Sequence, residues 1–135
     1  MVPVPFIAGR SLKSSMATSR ELGEWGEALA AKYMIQKGFS LLEHNYHSRY
    51  GEIDLILENG DFVVFAEVKL RKSSRYGTPA EAVTPRKQEK LRLTAMCYLQ
   101  NHGVEKQPRF DVIELYAPQG KQTPKIFIHH IENAF

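Results

Sequence analysis

The dipeptide Asn59-Gly60, set between the apolar, β-branched runs Ile53 to Leu57 and Phe62 to Val68, constrains this chain more than any other feature. Asn-Gly readily supplies the positive φ angles of a tight primed turn, so the stretch from Gly51 to Lys69 is expected to be a β-hairpin. With Asn59-Gly60 as the loop, Glu58 faces Asp61, Asp54 faces Phe65 and Glu52 faces Glu67. Side chains alternate along a strand, so one face carries Ile53, Leu55, Leu57, Phe62, Val64, Ala66, Val68 and Leu70 and is expected to be core.

The opposite face carries Glu52, Asp54, Ile56, Glu58, Asp61, Val63, Phe65, Glu67 and Lys69. Three carboxylates and an amine gather at its outer end. Asp54 and Glu67 are diagonal neighbours there, with Cβ atoms roughly 7 to 8 Å apart, within reach of one ion. A solvated outer face is the simpler alternative. Ile56, Val63 and Phe65 argue that this face is partly covered, and covered carboxylates require a cation or hydrogen-bond donors.

The chain of 135 residues holds one domain, residues 19–135, behind a Pro- and Ser-containing stretch, residues 1–18, read as a flexible extension. Cys97 is the only cysteine. That excludes an internal disulfide and a cysteine zinc cluster, and suits a reducing compartment, with cytoplasm the expectation. No apolar run reaches membrane-spanning length. The net charge of +3 is unevenly placed. Between Lys69 and Arg92 eight basic residues stand against Glu81 and Glu89, which leaves the rest of the chain net acidic. Such a segment suits a polyanion, with DNA the partner expected. Arg71, Lys72 and Arg75, with Tyr76, form a basic loop after the hairpin suited to phosphate contacts.

Thr18 or Ser19 caps a first helix that runs to about Lys37 before Gly38, with Glu21 at capping-box spacing and Leu22, Trp25, Leu29 and Tyr33 as its apolar stripe. Gly23 and Gly26 suggest close packing on the sheet. A first strand from Phe39 to Tyr46 precedes the hairpin. Thr84-Pro85 starts a second helix, to about Asn101, with Leu91, Ala95, Tyr98 and Leu99 inward. A four-residue step back from Leu91 puts Lys87 on the inward side, with Gln88 beside it. Strands Arg109–Tyr116 and Lys125–Ile131 close the chain. The order αβββαββ gives an α/β fold, a mixed sheet flanked by helices. The five histidines show no ligand spacing and are read as non-catalytic.

Asp54 followed by Glu67-Val68-Lys69 resembles the Asp...Glu-x-Lys signature of restriction-endonuclease-like nucleases. Together with Gly51-Glu52-Ile53-Asp54-Leu55-Ile56, Phe65-Ala66-Glu67-Val68-Lys69-x-Arg71, Gly77-x-Pro79 and Arg109-Phe110-Asp111, it looks like the bacterial YraN family, itself similar to archaeal Holliday-junction resolvases. The resemblance implies the endonuclease-like fold and Mg²⁺ or Mn²⁺ ligation by Asp54 and Glu67, with Glu27 from the first helix at the site. It also implies Lys69 as catalytic lysine and Lys87 or Gln88 contributed by the second helix. The expected activity is hydrolysis of phosphodiester bonds in DNA, branched DNA included. A non-cleaving nucleic-acid-binding module of the same fold and a structural interaction domain are the alternatives, and a homodimer is left open.

Overall fold

The computed structural model describes residues 17–72 and 83–135. The expectations for the extension before Ala17, and for Arg75, Tyr76 and the Gly77-x-Pro79 motif, lie outside the described residues. The elements are α1 (Ser19–Gln36), β1 (Ser40–Ser48), β2 (Gly51–Asn59), β3 (Phe62–Arg71), α2 (Pro85–His102), β4 (Gln107–Tyr116), a short 3₁₀ turn (Gly120–Gln122) and β5 (Phe127–Ile131). The order is the expected αβββαββ. One five-stranded sheet runs β1-β2-β3-β4-β5. Among the described strands only β3 and β4 pair in parallel, which requires the crossover that α2 supplies.

Local chemistry explains both helices. The Thr18 hydroxyl accepts from the Glu21 N–H while the Glu21 carboxylate accepts from the Thr18 N–H, so two otherwise orphaned donors are satisfied at once. The Thr84 hydroxyl caps α2 by accepting from the Lys87 N–H, without a reciprocal acid, Pro85 takes the first helical position, and Gly103 ends the helix with φ of 59°.

The helices cover opposite faces. On one, Ala30 and Met34 of α1 pack with Leu55, Leu57, Val64, Ala66, Ile113 and Leu115. On the other, Leu91, Ala95 and Tyr98 of α2 pack with Ile56, Val63, Phe65 and Val112. The deepest line of α1 is Gly26, Ala30 and Met34. Leu22, Trp25, Leu29 and Tyr33, the expected stripe, flank it half-buried. A methyl group at Gly26 would lie 3.9 Å from Leu70, ordinary contact, and one at Gly23 would meet nothing within 4 Å, so neither glycine is required for close approach.

The hairpin forms, one residue further along than expected. Asn59 pairs with Phe62 and Glu58 with Val63, which makes Gly60-Asp61 the loop. Gly60 alone takes positive φ, 53°, so the pattern is that of a II′ turn with glycine first. The slip moves every pairing by two residues and therefore keeps each side chain on its face. Ile53 is the exception: it joins the α2-side core and not the Leu55 face. The β2–β3 ladder ends at Leu55–Ala66, and just beyond it the Val68 N–H donates to the Asp54 carboxylate at 2.8 Å, where alternation in β2 breaks.

Candidate active-site cleft

Asp54 at the end of the β2–β3 ladder and Glu67 on β3 bring their carboxyl groups together. The β2–β3 pairing stops one residue short of them, at Leu55–Ala66, and beyond it their side chains are within hydrogen-bonding reach. Asp54 is part-buried, and its pKa is pushed up to about 8 by burial first, then by the hydrogen bond and charge of Glu67. The Val68 N–H works the other way but is outweighed. Two carboxyl groups this close in a half-dry site resist ionising together.

Glu67 is 4% exposed. Among the described residues its buried Oε2 has no aligned hydrogen bond. Lys87, reaching in from α2, ion-pairs with that oxygen, and the Lys69 ammonium stands 3.8 Å from it. Lys69 is half-buried, and burial lowers its pKa; Glu67 opposes the shift while Lys87 and Arg71 add to it. Burial also works against the charge of Lys87, but contact with Glu67 prevails and its pKa is raised.

Asp54, Glu67 and Lys87, but not Lys69, line a cleft of about 440 Å³ bounded by Gly51, Glu52, Asp54 and Glu67 from the hairpin and by Thr84, Arg86, Lys87, Lys90 and Leu91 at the start of α2. One wall is acidic and the other basic.

Of the remaining candidates Glu27 reaches Asp54 and the others separate. Glu27 lies between Asn45 and Asp54, hydrogen-bonded toward both, and burial raises its pKa, with Asn45 opposing and Glu52 adding. Asn45 stands just past the β1 irregularity between Leu41 and Glu43, with φ of 50°. Glu27 opens mainly on a second cleft, with Glu24, His44 and Asn45. Gln88 donates to the Val83 carbonyl at 2.9 Å and is spent on the helix start. Lys72 lines a third cleft with Leu22 and Gln119 to Gln122, on the α1 side of the sheet. Arg71 ion-pairs with Glu114 at 2.9 Å. Among the described residues, no group of three or more His, Cys, Asp or Glu side chains is arranged to hold a metal ion.

Residue-by-residue reading missed two buried acids on β4. Asp111 is fully buried; Arg109 donates to it through Nε and Nη2 at 2.9 and 2.8 Å, and the Asn133 N–H and His130 complete its shell. Lys37 donates to His130 Nδ1 at 2.8 Å, so Nε2 carries the hydrogen given to Asp111 at 2.7 Å. Glu114, 2% exposed, accepts from Arg71 and from the Tyr116 hydroxyl. The available signal was an acid within each apolar run of Phe110-Asp111-Val112-Ile113-Glu114-Leu115.

Among the described residues no helix is long and apolar enough to cross a membrane. Residues 26–115 match the family described as "Uncharacterised protein family UPF0102". A UPF0102 protein of Syntrophomonas wolfei is 48% identical over 123 residues, 87% of this chain and 99% of the relative. One from Rhodococcus jostii is 44% identical over 121 residues, 89% of this chain and all of the relative. Another from Symbiobacterium thermophilum is 44% identical over 119 residues, 87% of this chain and 98% of the relative. A match across most of the domain, with relatives aligned almost end to end, means that the chain belongs to the UPF0102 family, the same family as YraN.

Proposed function

We propose that the protein is a metal-dependent nuclease acting on DNA, with the neighbouring carboxyls of Asp54 and Glu67 as its ion seat. The observation that carries this reading is the Asp54–Glu67 contact, with the buried Oε2 of Glu67 lacking an aligned hydrogen bond while two ammonium groups attend it. A pair of hard oxygen donors with room for water suits Mg²⁺ or Mn²⁺, which are often held by one or two carboxylates alone. When bound, such an ion supplies polarisation of the phosphate and a more acidic water.

The chain's own residues do the rest. Asp54, held by the Val68 N–H, would hold the ion together with Glu67, and the ion's charge would favour its carboxylate form. Lys69 leans toward Glu67 from a half-buried position and directs charge at the oxygens where it builds up in the transition state. Lys87 moves from Glu67 to the phosphodiester, with Arg86 and Lys90 holding the backbone along the same wall. Incubation with linear, single-stranded, flap and four-way DNA in Mg²⁺ and Mn²⁺ tests the reading. Cleavage lost in both Asp54→Asn and Lys69→Ala is expected; activity retained by both assigns it to something else.

The Lys87 ion pair favours a second reading. It gives Glu67 a protein cation already, as in a module that binds DNA without cutting it. Binding of Mn²⁺ and DNA with none of the four substrates cut would establish that alternative.

A further inference from the structure

We infer that Arg71 is an anchored seat for the phosphate neighbouring the one at the cleft, and that Glu114 and Tyr116 are the positioning residues that hold it open. The inference rests on the nuclease-site reading for its register, though its test requires no cleavage. Glu67, Lys69 and Arg71 occupy alternate positions of β3 and so share the face that α2 covers further along. Their Cα atoms follow one another at about 6.6 Å, a spacing comparable to the step between successive phosphates of a strand. The backbone at the outer end is fixed: Arg71 pairs with Tyr116, and its carbonyl accepts from the Ala117 N–H at 2.8 Å.

How Arg71 meets its carboxylate distinguishes it from Arg109. Arg109 grips Asp111 with Nε and Nη2 together, a closed fork. Arg71 gives Glu114 Oε2 only its Nε, at 2.9 Å, because the Tyr116 hydroxyl takes Oε1. Among the described residues its Nη atoms have no hydrogen bond, and the side chain keeps 25% of its surface exposed. A guanidinium fastened through Nε still presents a pair of N–H donors with the geometry of a phosphate edge. Glu114 is buried among neighbours of the sheet and holds the orientation at little rotational freedom.

Fluorescence anisotropy with a labelled single strand and a labelled duplex, in EDTA across a KCl series, tests this. Arg71→Ala should weaken binding about fivefold to tenfold and reduce the slope of log affinity against log salt by about one unit. Arg71→Lys should recover the slope but not the full affinity, since a point charge replaces a fork. Tyr116→Phe is the decisive variant. It changes no charge, but frees Glu114 Oε1, so Arg71 can close onto both oxygens; affinity should fall about threefold with the melting temperature held. Slope and affinity unchanged in Arg71→Ala and Tyr116→Phe would overturn the inference, as would wild-type protein that binds neither oligonucleotide. Wild-type protein that binds with these sensitivities yet never cleaves keeps the seat and removes the nuclease reading.

Discussion

Asp54 and Asp111 lie on opposite faces of one sheet, and the two surroundings treat a carboxyl group in opposite ways. Asp111 has donors on both oxygens: an arginine fork, an imidazole N–H and a backbone N–H. Burial alone would raise its pKa, but His130, Arg109 and Asn133 outweigh burial and the pKa falls below the usual carboxylate value. Asp54 has one backbone donor and, against it, another carboxyl, so its pKa rises to about 8. A buried acid whose neighbours satisfy it belongs to the scaffold. One whose neighbours leave it short of positive charge is arranged for something that arrives later.

The largest expected effect is on the scaffold side. Asp111→Ala should cost about 3 to 5 kcal/mol, since it leaves Arg109 and His130 without their buried acceptor. Urea unfolding measures it. A loss no greater than that of Asp54→Asn would end the contrast between the two regions.

Next comes catalysis. Lys69→Ala should slow any Mg²⁺-dependent cleavage by about 10² to 10³, while calorimetry still registers Mn²⁺ binding; Asp54→Asn should lose the ion itself. If Lys69→Ala abolished ion binding too, the ammonium would be part of the seat's architecture and not its chemistry.

A smaller effect sharpens the comparison through pH. The raised pKa of Asp54 means the folded chain keeps a proton that the unfolded chain releases. With chelator present, this group's contribution is therefore complete below about pH 4 and is lost as pH climbs toward 8. Asp54→Asn should flatten that decline and stabilise the protein by about 1 kcal/mol at pH 8. Asp111 has the opposite sign: its contribution is present above about pH 4 and lost as pH falls below that. A wild-type stability curve that climbs between pH 5 and 8 in chelator, and falls only below that range, would contradict the Asp54 half of this pair.

The smallest effect is at Gly26. Ala there should stabilise α1 by about 0.5 to 1 kcal/mol with ion binding unchanged, because the methyl meets Leu70 at ordinary contact distance. Destabilisation would mean that the helix beside Glu27 has no room to give.

Short-range chemistry carried well from sequence to structure. Thr18 with Glu21, Thr84 with Pro85, and Gly103 mark helix ends through contacts within a turn or two, and they were legible for that reason. The shared face of Asp54 and Glu67 survived an error in the turn because the loop slipped by one residue on each strand, and an even shift in pairing preserves alternation. Ile53 did not follow, since the side chain of Asp54 takes a backbone donor just where the ladder stops. What stayed hidden was long-range. His130 meets Asp111 from the next strand and Lys37 from the end of α1, and no local pattern joins those three. Nor did charge alone show that Arg71 and Lys72 leave the strand on different sides.

The lone parallel pairing in the sheet has a kinetic consequence. β1, β2 and β3 form a meander whose contacts are near in sequence, so the acidic wall can assemble early, whereas α2 and its lysines arrive only when the chain has crossed back to lay β4 beside β3. Until that closure Glu67 has no Lys87, and the nascent hairpin carries its carboxylates in water, where they repel weakly. Divalent ions present during refolding should therefore act late, speeding the final docking of α2 little while slowing its departure, so that their mark falls on the unfolding rate.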